Sequence, residues 1–495
     1  MRGEPYAGPP QRRRRPHPRR NPALPRPGST TIQTTAPSWP ARLMADLTQG
    51  FSHVIPNVTS AELKKNHATF WTGKDAHPGG TILSMDPDVG DLQQGDILIE
   101  GSQISEVRSR IEATGAGEEI DATGCIVIPG FIDTHRHMWQ AVVRGYAPHY
   151  TLHDYFTHIM IGMGPSVLPR DVYLGNLLSA LAALGAGVTT VQDISNIQQA
   201  PEHADAAGQA LRESGLRAVF AYGIPFGQIR TEGSKLPDDV RRVRSQLLAD
   251  DDALVTMALN AETGDDDAER HNYRLARDLD VRAARHLVSA RQPITRLEKL
   301  GAVVPGTTLI HGNGMEDQEF GAIRENGCGL SITPAIELMM GHGYPPLFPA
   351  AEAGLRVSLS VDVEVTASGD MFTQMRAAYQ AARYSQLSAG ASPWVTVGQI
   401  LHYATLSGAE TLGLGERTGS LRPGKQADLV ILRADRPDVA PVLDPYSTVV
   451  LQMDRSHVDT VLVAGKPVKR GGTLLSDNGE LLAEARTAAR RLTAG

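Results

Sequence analysis

A pair of histidines, His135 and His137, stands one residue apart just after the apolar run Ile128–Ile132. Within a strand, residues i and i+2 point to the same face, so both imidazoles would project together from the strand end. Two imidazoles placed in this way can bind one metal ion. A bare His-x-His pair is more often two ordinary surface or core histidines, so the rest of the chain has to decide between these interpretations.

Between residues 129 and 414 the chain alternates short apolar segments with longer segments of helical spacing. Several of the apolar segments are rich in β-branched residues, as is typical of buried parallel strands. The alternation predicts a (β/α)8 barrel (TIM barrel), whose active site lies at the carboxyl ends of its strands. The predicted strands are 126–132, 188–191, 217–222, 254–259, 281–286, 308–310, 329–332 and 357–361, and the predicted helices are 171–184, 200–213, 239–249, 268–278, 318–325 and 370–382.

The flanking segments, 51–128 and 415–475, carry short strand patterns separated by Gly and Asp turns. We expect them to form one small β-sandwich built from both chain ends, followed by a C-terminal helix over 476–495. Residues 1–43 hold nine arginines and one acidic residue among many prolines, which predicts a disordered extension. This extension is interpreted either as a basic arm or as a segment that precedes a true start at Met44.

If the barrel is correct, its strand order brings further polar side chains to the His-x-His pair. His286 ends the fifth strand, His311 follows the sixth, and Asp362 follows the eighth. Histidines and a carboxylate at one barrel mouth are suitable ligands for a divalent metal ion. Such an ion lowers the pKa of its water toward neutrality, and a neighbouring carboxylate can accept the proton. The pattern therefore predicts hydrolytic chemistry.

Five segments carry a more specific pattern: Pro-Gly-Phe-Ile-Asp-Thr-His-Arg-His at 129–137, Gly-Val-Thr-Thr at 187–190, Leu-Ile-His-Gly at 309–312, Ser-Val-Asp at 360–362, and the segment 419–432. Together they resemble the amidohydrolase superfamily, and most of all its branch of cytosine, guanine and S-adenosylhomocysteine deaminases and triazine chlorohydrolases. The resemblance covers about residues 80–470.

The resemblance implies a role for each residue at the predicted barrel mouth. His135, His137, His286 and Asp362 would be the metal ligands. His311 would contact the attacking hydroxide, and Asp362 would also shuttle its proton. These roles define one site with four ligands and two catalytic residues.

The sequence departs from the branch at one position. Its deaminases usually carry a glutamate three residues after the fifth-strand histidine, whereas Ser289 stands there in this chain. That departure weakens the case for purine or pyrimidine deamination.

His271 competes with His286 as a ligand, although it lies in a polar run that predicts the start of a helix. In binuclear members of the superfamily, a modified lysine after the fourth strand bridges two metal ions. Between residues 138 and 301 the lysines are Lys235 and Lys299, and neither ends a predicted strand. The resemblance therefore implies one metal ion, with zinc favoured over iron.

Three residues are predicted to bind substrate. Gln140 follows the histidine pair closely enough to reach a heterocycle, and Glu337 follows the seventh strand, where it could supply the missing acid. His342 lies between two glycines and could line the mouth. A solvated helix-start carboxylate and an ordinary loop histidine are the alternatives for Glu337 and His342.

The composition narrows the class of protein. A net charge of −7 gives no general attraction to nucleic acid or anionic membrane. Two cysteines, Cys125 and Cys328, form no disulfide framework, so we expect a cytoplasmic enzyme. A homodimer or a larger homo-oligomer is possible.

The prediction is a metal-dependent hydrolase that cleaves a C–N bond, other than a peptide bond, of a small heterocyclic substrate. A cyclic-amide hydrolase or a chlorohydrolase is the alternative, followed by a non-catalytic binding barrel.

Overall fold

The fold was examined in a computed structural model of the chain. The structure describes residues 68–70, 80–112, 118–229, 234–287, 294–302, 304–390, 394–476 and 479–494. The predicted N-terminal extension and Ser289 lie outside these residues. Within them, no helix is both long enough and apolar enough to cross a membrane.

Among the described residues, the strands fall into three sheets of four, eight and six strands. In chain order they are β1 Ala68–Phe70, β2 Thr81–Ile82, β3 Asp96–Glu100, β4 Gln103–Arg108, β5 Glu118–Glu119, β6 Cys125–Pro129, β7 Phe131–Arg136, β8 Val188–Ser195, β9 Arg217–Tyr222, β10 Val255–Asn260, β11 Arg282–Leu287, β12 Thr308–His311, β13 Gly329–Ile332, β14 Val357–Leu359, β15 Leu429–Arg433, β16 Val458–Val463, β17 Lys466–Arg470 and β18 Thr473–Leu474.

The eight-stranded sheet is the predicted barrel. Strands β7 to β14 are parallel neighbours in chain order, and a bridge between Arg136 and Asp362 joins the last strand to the first. Every residue of β7, β8, β9, β12, β13 and β14 is buried, as expected of parallel strands that are covered on both faces. A parallel barrel brings the carboxyl ends of all its strands to one rim.

Helices connect the barrel strands and cover them on the outside. Side chains that accept hydrogen bonds from backbone N–H groups fix the start of several, as Asp265 does before α6 and Asp370 before α11. The α-helices are α1 Leu152–Asp154, α2 Pro169–Gly185, α3 Pro201–Ser214, α4 Phe226–Ile229, α5 Asp239–Arg242, α6 Asp266–Asp278, α7 Ile294–Lys299, α8 Asp317–Glu325, α9 Pro334–Met340, α10 Leu347–Glu352, α11 Met371–Ser388, α12 Val397–Tyr403, α13 Leu406–Thr411, α14 Pro445–Ser447 and α15 Gly479–Thr493.

Other helical segments interrupt this pattern. The predicted helix 239–249 is α5 followed by a π-helical segment, because its last turns widen. The π segments are Tyr155–Met163, Val243–Leu247 and Thr448–Gln452, and the 3₁₀ segments are Met138–Val143, Gly164–Ser166 and Arg455–His457.

Both ends of the chain contribute to the β-sandwich, as predicted. The six-stranded sheet pairs β6 with β15, so a strand from before the barrel lies beside one from after it. The four-stranded sheet comes from the N-terminal part alone. Alternate residues of both sheets share one apolar core that includes Ile97, Ile99, Val127, Leu429 and Ile431.

The predicted first strand, 126–132, is wrong as a single element. The structure divides it into β6, which belongs to the sandwich, and β7, which belongs to the barrel. Gly130 stands at the division, and a Cβ atom there would lie 2.0 Å from the Thr189 hydroxyl oxygen. The apolar pattern runs through both strands because both are buried, so it carries no sign of the change of sheet.

Candidate active site

Four side chains from three barrel strands converge at the carboxyl rim. The Nε2 atom of His135 lies 3.2 Å from Nε2 of His137 and 3.2 Å from Nε2 of His286. One carboxylate oxygen of Asp362 lies 3.5 Å from His135 Nε2 and 3.6 Å from His137 Nε2. The structure therefore brings together all four residues predicted as metal ligands.

These spacings fit a small metal ion. Ligand atoms about 2.0–2.1 Å from a tetrahedrally coordinated zinc lie about 3.3 Å from one another. The four observed separations, 3.2 to 3.6 Å, span that value. His135, His137 and Asp362 are almost completely buried, and burying these groups without a common partner would be costly.

The backbone holds the ligand segments against each other. The N–H of Asp362 donates to the carbonyl of His135 at 2.9 Å, and the N–H of His137 donates to the carbonyl of Asp362 at 2.9 Å. Asp362 itself has a φ of 66°, in the left-handed region that few side chains adopt. The first and eighth strands thus present the predicted ligands from one hydrogen-bonded unit.

A buried ion cluster supports this unit from the opposite face of β7. Arg136 lies between the two histidines in sequence, so its side chain points away from them and pairs with Asp133 at 2.7 Å. Its guanidinium also lies 3.7 Å from Glu364, two residues beyond Asp362. The other carboxylate oxygen of Asp133 accepts the N–H of Val361 at 3.0 Å.

Hydrogen bonds at Nδ1 orient three histidines so that Nε2 faces the cluster. His137 Nδ1 lies 2.8 Å from the carbonyl of Ile194, and His286 Nδ1 lies 2.8 Å from Glu262. His311 Nδ1 lies 3.2 Å from both Glu337 and the Thr333 hydroxyl. A histidine that donates its Nδ1 proton keeps a lone pair on Nε2, which is the form that binds metals.

Burial sets the protonation of these groups. It lowers the pKa of His135 well below the usual value, and that of His137 and His311 to about 3. It raises the pKa of Asp362 to about 7. Burial opposes the charged form of His286 as well, but the Glu262 carboxylate outweighs this and raises the pKa of His286. The cluster is therefore rich in neutral imidazoles.

The predicted substrate-binding residues surround this cluster. Gln140 is buried and donates from its amide to the Tyr155 hydroxyl at 2.6 Å, while its carbonyl oxygen has no partner among the described residues. The His342 ring centroid lies 4.7 Å from that of His311. Glu337 is fully buried on the Nδ1 side of His311, so it is not the solvated helix-start carboxylate of the alternative interpretation.

Two residues near the site were missed in the sequence. Glu262 follows the fourth barrel strand, and its position shortly after a predicted strand is the signal that could have identified it. Tyr155 lies on a π-helical segment, close enough for the Asp362 carboxylate to contribute to raising its pKa. No pattern in the sequence marks that segment. His271, the competing ligand, lies on α6 and is absent from the groups of potential ligands among the described residues.

An eight-stranded parallel barrel with histidines and a carboxylate gathered at its carboxyl rim is the arrangement of a barrel hydrolase. The model of the amidohydrolase family matches residues 126–468, and the chain belongs to this family. The predicted family is thereby confirmed, and with it an enzyme of the class that hydrolyses C–N bonds other than peptide bonds. The family is metal-dependent.

Curated relatives match most of the chain. The 5'-deoxyadenosine deaminase of Methanosarcina acetivorans is 28% identical over 431 residues, which cover 83% of this chain and 97% of the relative. The 5-methylthioadenosine/S-adenosylhomocysteine deaminase of Desulforudis audaxviator is 28% identical over 425 residues, covering 82% and 96%.

Solved structures share the fold. An adenosine deaminase from Xanthomonas campestris with bound zinc has a TM-score of 0.76 at 22% identity, and the match covers 86% of this chain and 99% of that one. A mutant atrazine chlorohydrolase from Arthrobacter aurescens, complexed with zinc and atraton, has a TM-score of 0.75 at 21% identity, covering 85% and 99%.

Proposed function

We propose that this enzyme deaminates an amino-substituted heterocycle of the adenosine type, using one zinc ion per chain. The convergence of four ligand atoms at 3.2 to 3.6 Å carries the proposal. The deaminase relatives support the adenosine-type substrate, since two of them act on 5'-deoxyadenosine and on 5-methylthioadenosine or S-adenosylhomocysteine.

His135, His137, His286 and Asp362 would hold the metal. A divalent ion in this position lowers the pKa of water toward neutrality and so provides a nucleophile at physiological pH. His135 and His137, whose pKa values are lowered by burial, are neutral and ready to bind it without first losing a proton.

Asp362 is proposed as the proton carrier. Water adds to the ring carbon that bears the amino group, and its proton passes to a carboxylate oxygen of Asp362. The same proton then moves to the amino nitrogen, so that ammonia leaves. The second hydrogen of the water moves from the new hydroxyl to the adjacent ring nitrogen, which leaves a ring carbonyl. The unusually high pKa of Asp362 supports such exchange near neutral pH.

His311 is proposed to orient the attacking water, with Glu337 holding its ring. Glu337 accepts on the Nδ1 side at 3.2 Å and receives the backbone N–H of Thr333 at 3.0 Å. The imidazole is thereby fixed in one rotamer and one tautomer. Precise placement of such a group accounts for a large part of its catalytic effect.

Gln140 and His342 are proposed to contact the heterocycle. The carbonyl oxygen of Gln140 and Nδ1 of His342 are buried without a partner among the described residues. Buried polar atoms of this kind are costly unless a ligand or water satisfies them. A heterocycle that carries N–H donors and ring nitrogen acceptors would complement both.

The test is a substrate panel with zinc-loaded enzyme. It contains adenosine, 5'-deoxyadenosine, 5'-methylthioadenosine, S-adenosylhomocysteine, guanine, cytosine and a chlorotriazine. Ammonia and chloride release are measured together with ultraviolet absorbance, and Asp362→Asn is the inactive control. Ammonia release from a 6-aminopurine nucleoside supports the proposal. Ammonia from none of the amino compounds contradicts it.

Displacement of chloride is the second candidate. Ser289 replaces the glutamate that the resemblance associates with protonation of a ring nitrogen, and chloride needs no proton to leave. Chloride release without ammonia release would favour this candidate over deamination.

A further inference from the structure

We propose that Glu262 is a positioning residue that fixes His286 as a metal ligand. This inference rests on the proposed function, since it assumes that His286 binds the metal. Glu262 belongs to neither the metal-ligand set nor the substrate-binding set described above.

The barrel register brings Glu262 level with His286. Strands β10 and β11 are parallel neighbours in which Ala258, Leu259 and Asn260 pair with Arg282, Ala283 and Ala284. Continuing this register by two residues places the end of the fourth strand beside the end of the fifth. The carboxylate of Glu262 therefore reaches His286 from the end of the neighbouring strand, and no loop has to fold back to place it there.

One oxygen of Glu262 accepts two hydrogen bonds from the same residue. The backbone N–H of His286 donates to it at 2.6 Å and the Nδ1–H donates to it at 2.8 Å. The first bond fixes the position of the backbone and the second fixes the rotation and tautomer of the ring. Nε2 is then left with its lone pair directed at His135 Nε2, 3.2 Å away.

Burial makes the pairing electrostatically strong. The side chains of Glu262 and His286 are 12% and 16% exposed. Hydrogen bonding of a ligating imidazole to a carboxylate raises its basicity and orients it, and such partners contribute substantially to metal affinity. The negative charge of Glu262 also compensates part of the charge that a divalent ion would bring into the barrel mouth.

The test measures zinc affinity without substrate. The dissociation constant for zinc is determined by competition with a chelating indicator for wild type, Glu262→Ala and Glu262→Gln. We expect a rise of about 10- to 100-fold for Glu262→Ala and a smaller rise for Glu262→Gln, whose amide oxygen can still accept a hydrogen bond. The absorption spectrum of the Co²⁺-loaded protein should change in Glu262→Ala, because the geometry around the ion changes.

Asp454→Asn is the matched control. It alters another carboxylate–imidazole contact, Asp454 with His457 at 3.3 Å, outside the barrel mouth. Zinc affinity equal to wild type is expected for this variant. If Glu262→Ala does not fold, as judged by circular dichroism, Glu262→Gln decides the matter.

Unchanged zinc affinity and an unchanged Co²⁺ spectrum in a folded Glu262 variant would overturn the inference. Metal binding is measured here without turnover, so a failed substrate panel leaves the result intact. Conversely, wild-type protein that binds no zinc would contradict the proposed metal site itself, before any question about Glu262 arises.

Discussion

The carboxylate of Glu337 lies 3.2 Å from Nδ1 of His311, and both side chains are buried in the barrel mouth. His311 ends β12 and Glu337 follows β13 on α9, and they meet because these strands are parallel neighbours. Hydrogen bonding at Nδ1 leaves Nε2 as the nitrogen of His311 that is available to water or substrate. This pair links the predicted catalytic histidine to a carboxylate that the sequence had suggested as a substrate contact or as the missing acid.

Replacement of Glu337 by Gln should lower kcat by about tenfold or more, because an amide oxygen is a weaker acceptor than a carboxylate for the Nδ1–H of His311. KM should change little, since the carboxylate lies on the far side of the histidine from the metal cluster. Steady-state kinetics with zinc-loaded enzyme measure both constants. Glu325→Gln, at an exposed position on α8, is the control and should leave both unchanged. A change confined to KM would show that Glu337 instead contacts substrate.

In the absence of metal, the free energy of unfolding of the wild type should fall relative to that of Glu337→Gln as pH rises from about 4.5 toward 7. Burial raises the pKa of Glu337 to about 7 from its usual value of 4.5, so the folded state holds a proton that the unfolded state has released. Protonated Glu337 is therefore favoured below the unfolded pKa, and this advantage is lost as pH rises through the folded pKa. Over this pH range the free energy of unfolding of the wild type should fall by up to about 3 kcal/mol relative to that of Glu337→Gln. Urea unfolding of both proteins at pH 5 and pH 7.5 measures it, and parallel pH profiles would refute it.

Replacement of Asp362 by Asn should reduce kcat by about 10²- to 10⁴-fold, because the amide cannot accept and return a proton. Asparagine tolerates the left-handed backbone of this position, with its φ of 66°, better than most residues. The fold should therefore survive, as circular dichroism can confirm. Zinc content has to be measured alongside, since Asp362 is also a proposed ligand. Activity within a factor of two of wild type would exclude Asp362 as proton carrier.

Purified protein should contain about one divalent ion per chain, and a chelator should remove both the ion and the activity. Bound metal stabilises the folded state by about 4 kcal/mol when its free concentration is 1,000 times Kd. The melting temperature should accordingly fall on chelation and recover when zinc is restored. Elemental analysis and thermal denaturation provide the two measurements. An ion content near zero with an unchanged melting temperature would contradict the metal site.

Replacement of Gly130 by Ala should destabilise the protein by about 1–3 kcal/mol, because the new Cβ would overlap the Thr189 side chain in a fully packed region. Gly321→Ala is the control: it lies within α8, and a Cβ there meets no atom within 4 Å. That control should be neutral or slightly stabilising, since Ala is the better helix former. The free energy of unfolding in denaturant distinguishes the two, and equal stabilities would show that β7 and β8 can move apart.

The sequence was sufficient to predict most of the barrel because its strands are short, buried and separated by helical segments. The residues that end these strands, such as His286 and Asp362, could therefore be expected to meet. Glu262 also follows a strand, but a single carboxylate after a strand end does not by itself indicate a partner for a metal-binding histidine. Its role depends on the register between β10 and β11, which periodicity alone does not specify.

Other features depend on contacts between distant segments. The division of 126–132 into two strands follows from the pairing of β6 with β15, which is about 300 residues away in the chain. The position of Tyr155 depends on a π-helical segment that has no signature in composition. Such features are decided by packing, which outweighs local propensity.

The passage from sandwich to barrel through Gly130 has a consequence for recombination between homologues. Strand β7 carries His135 and is followed directly by His137. One residue separates it from β6, whose partner β15 lies in the C-terminal part of the chain. A chimaera that exchanges only the N-terminal or only the C-terminal segment would pair β6 of one parent with β15 of the other. This mismatched pair would lie next to the start of β7. Crossover points that keep β6 and β15 from the same parent should therefore yield more active chimaeras than points that separate them.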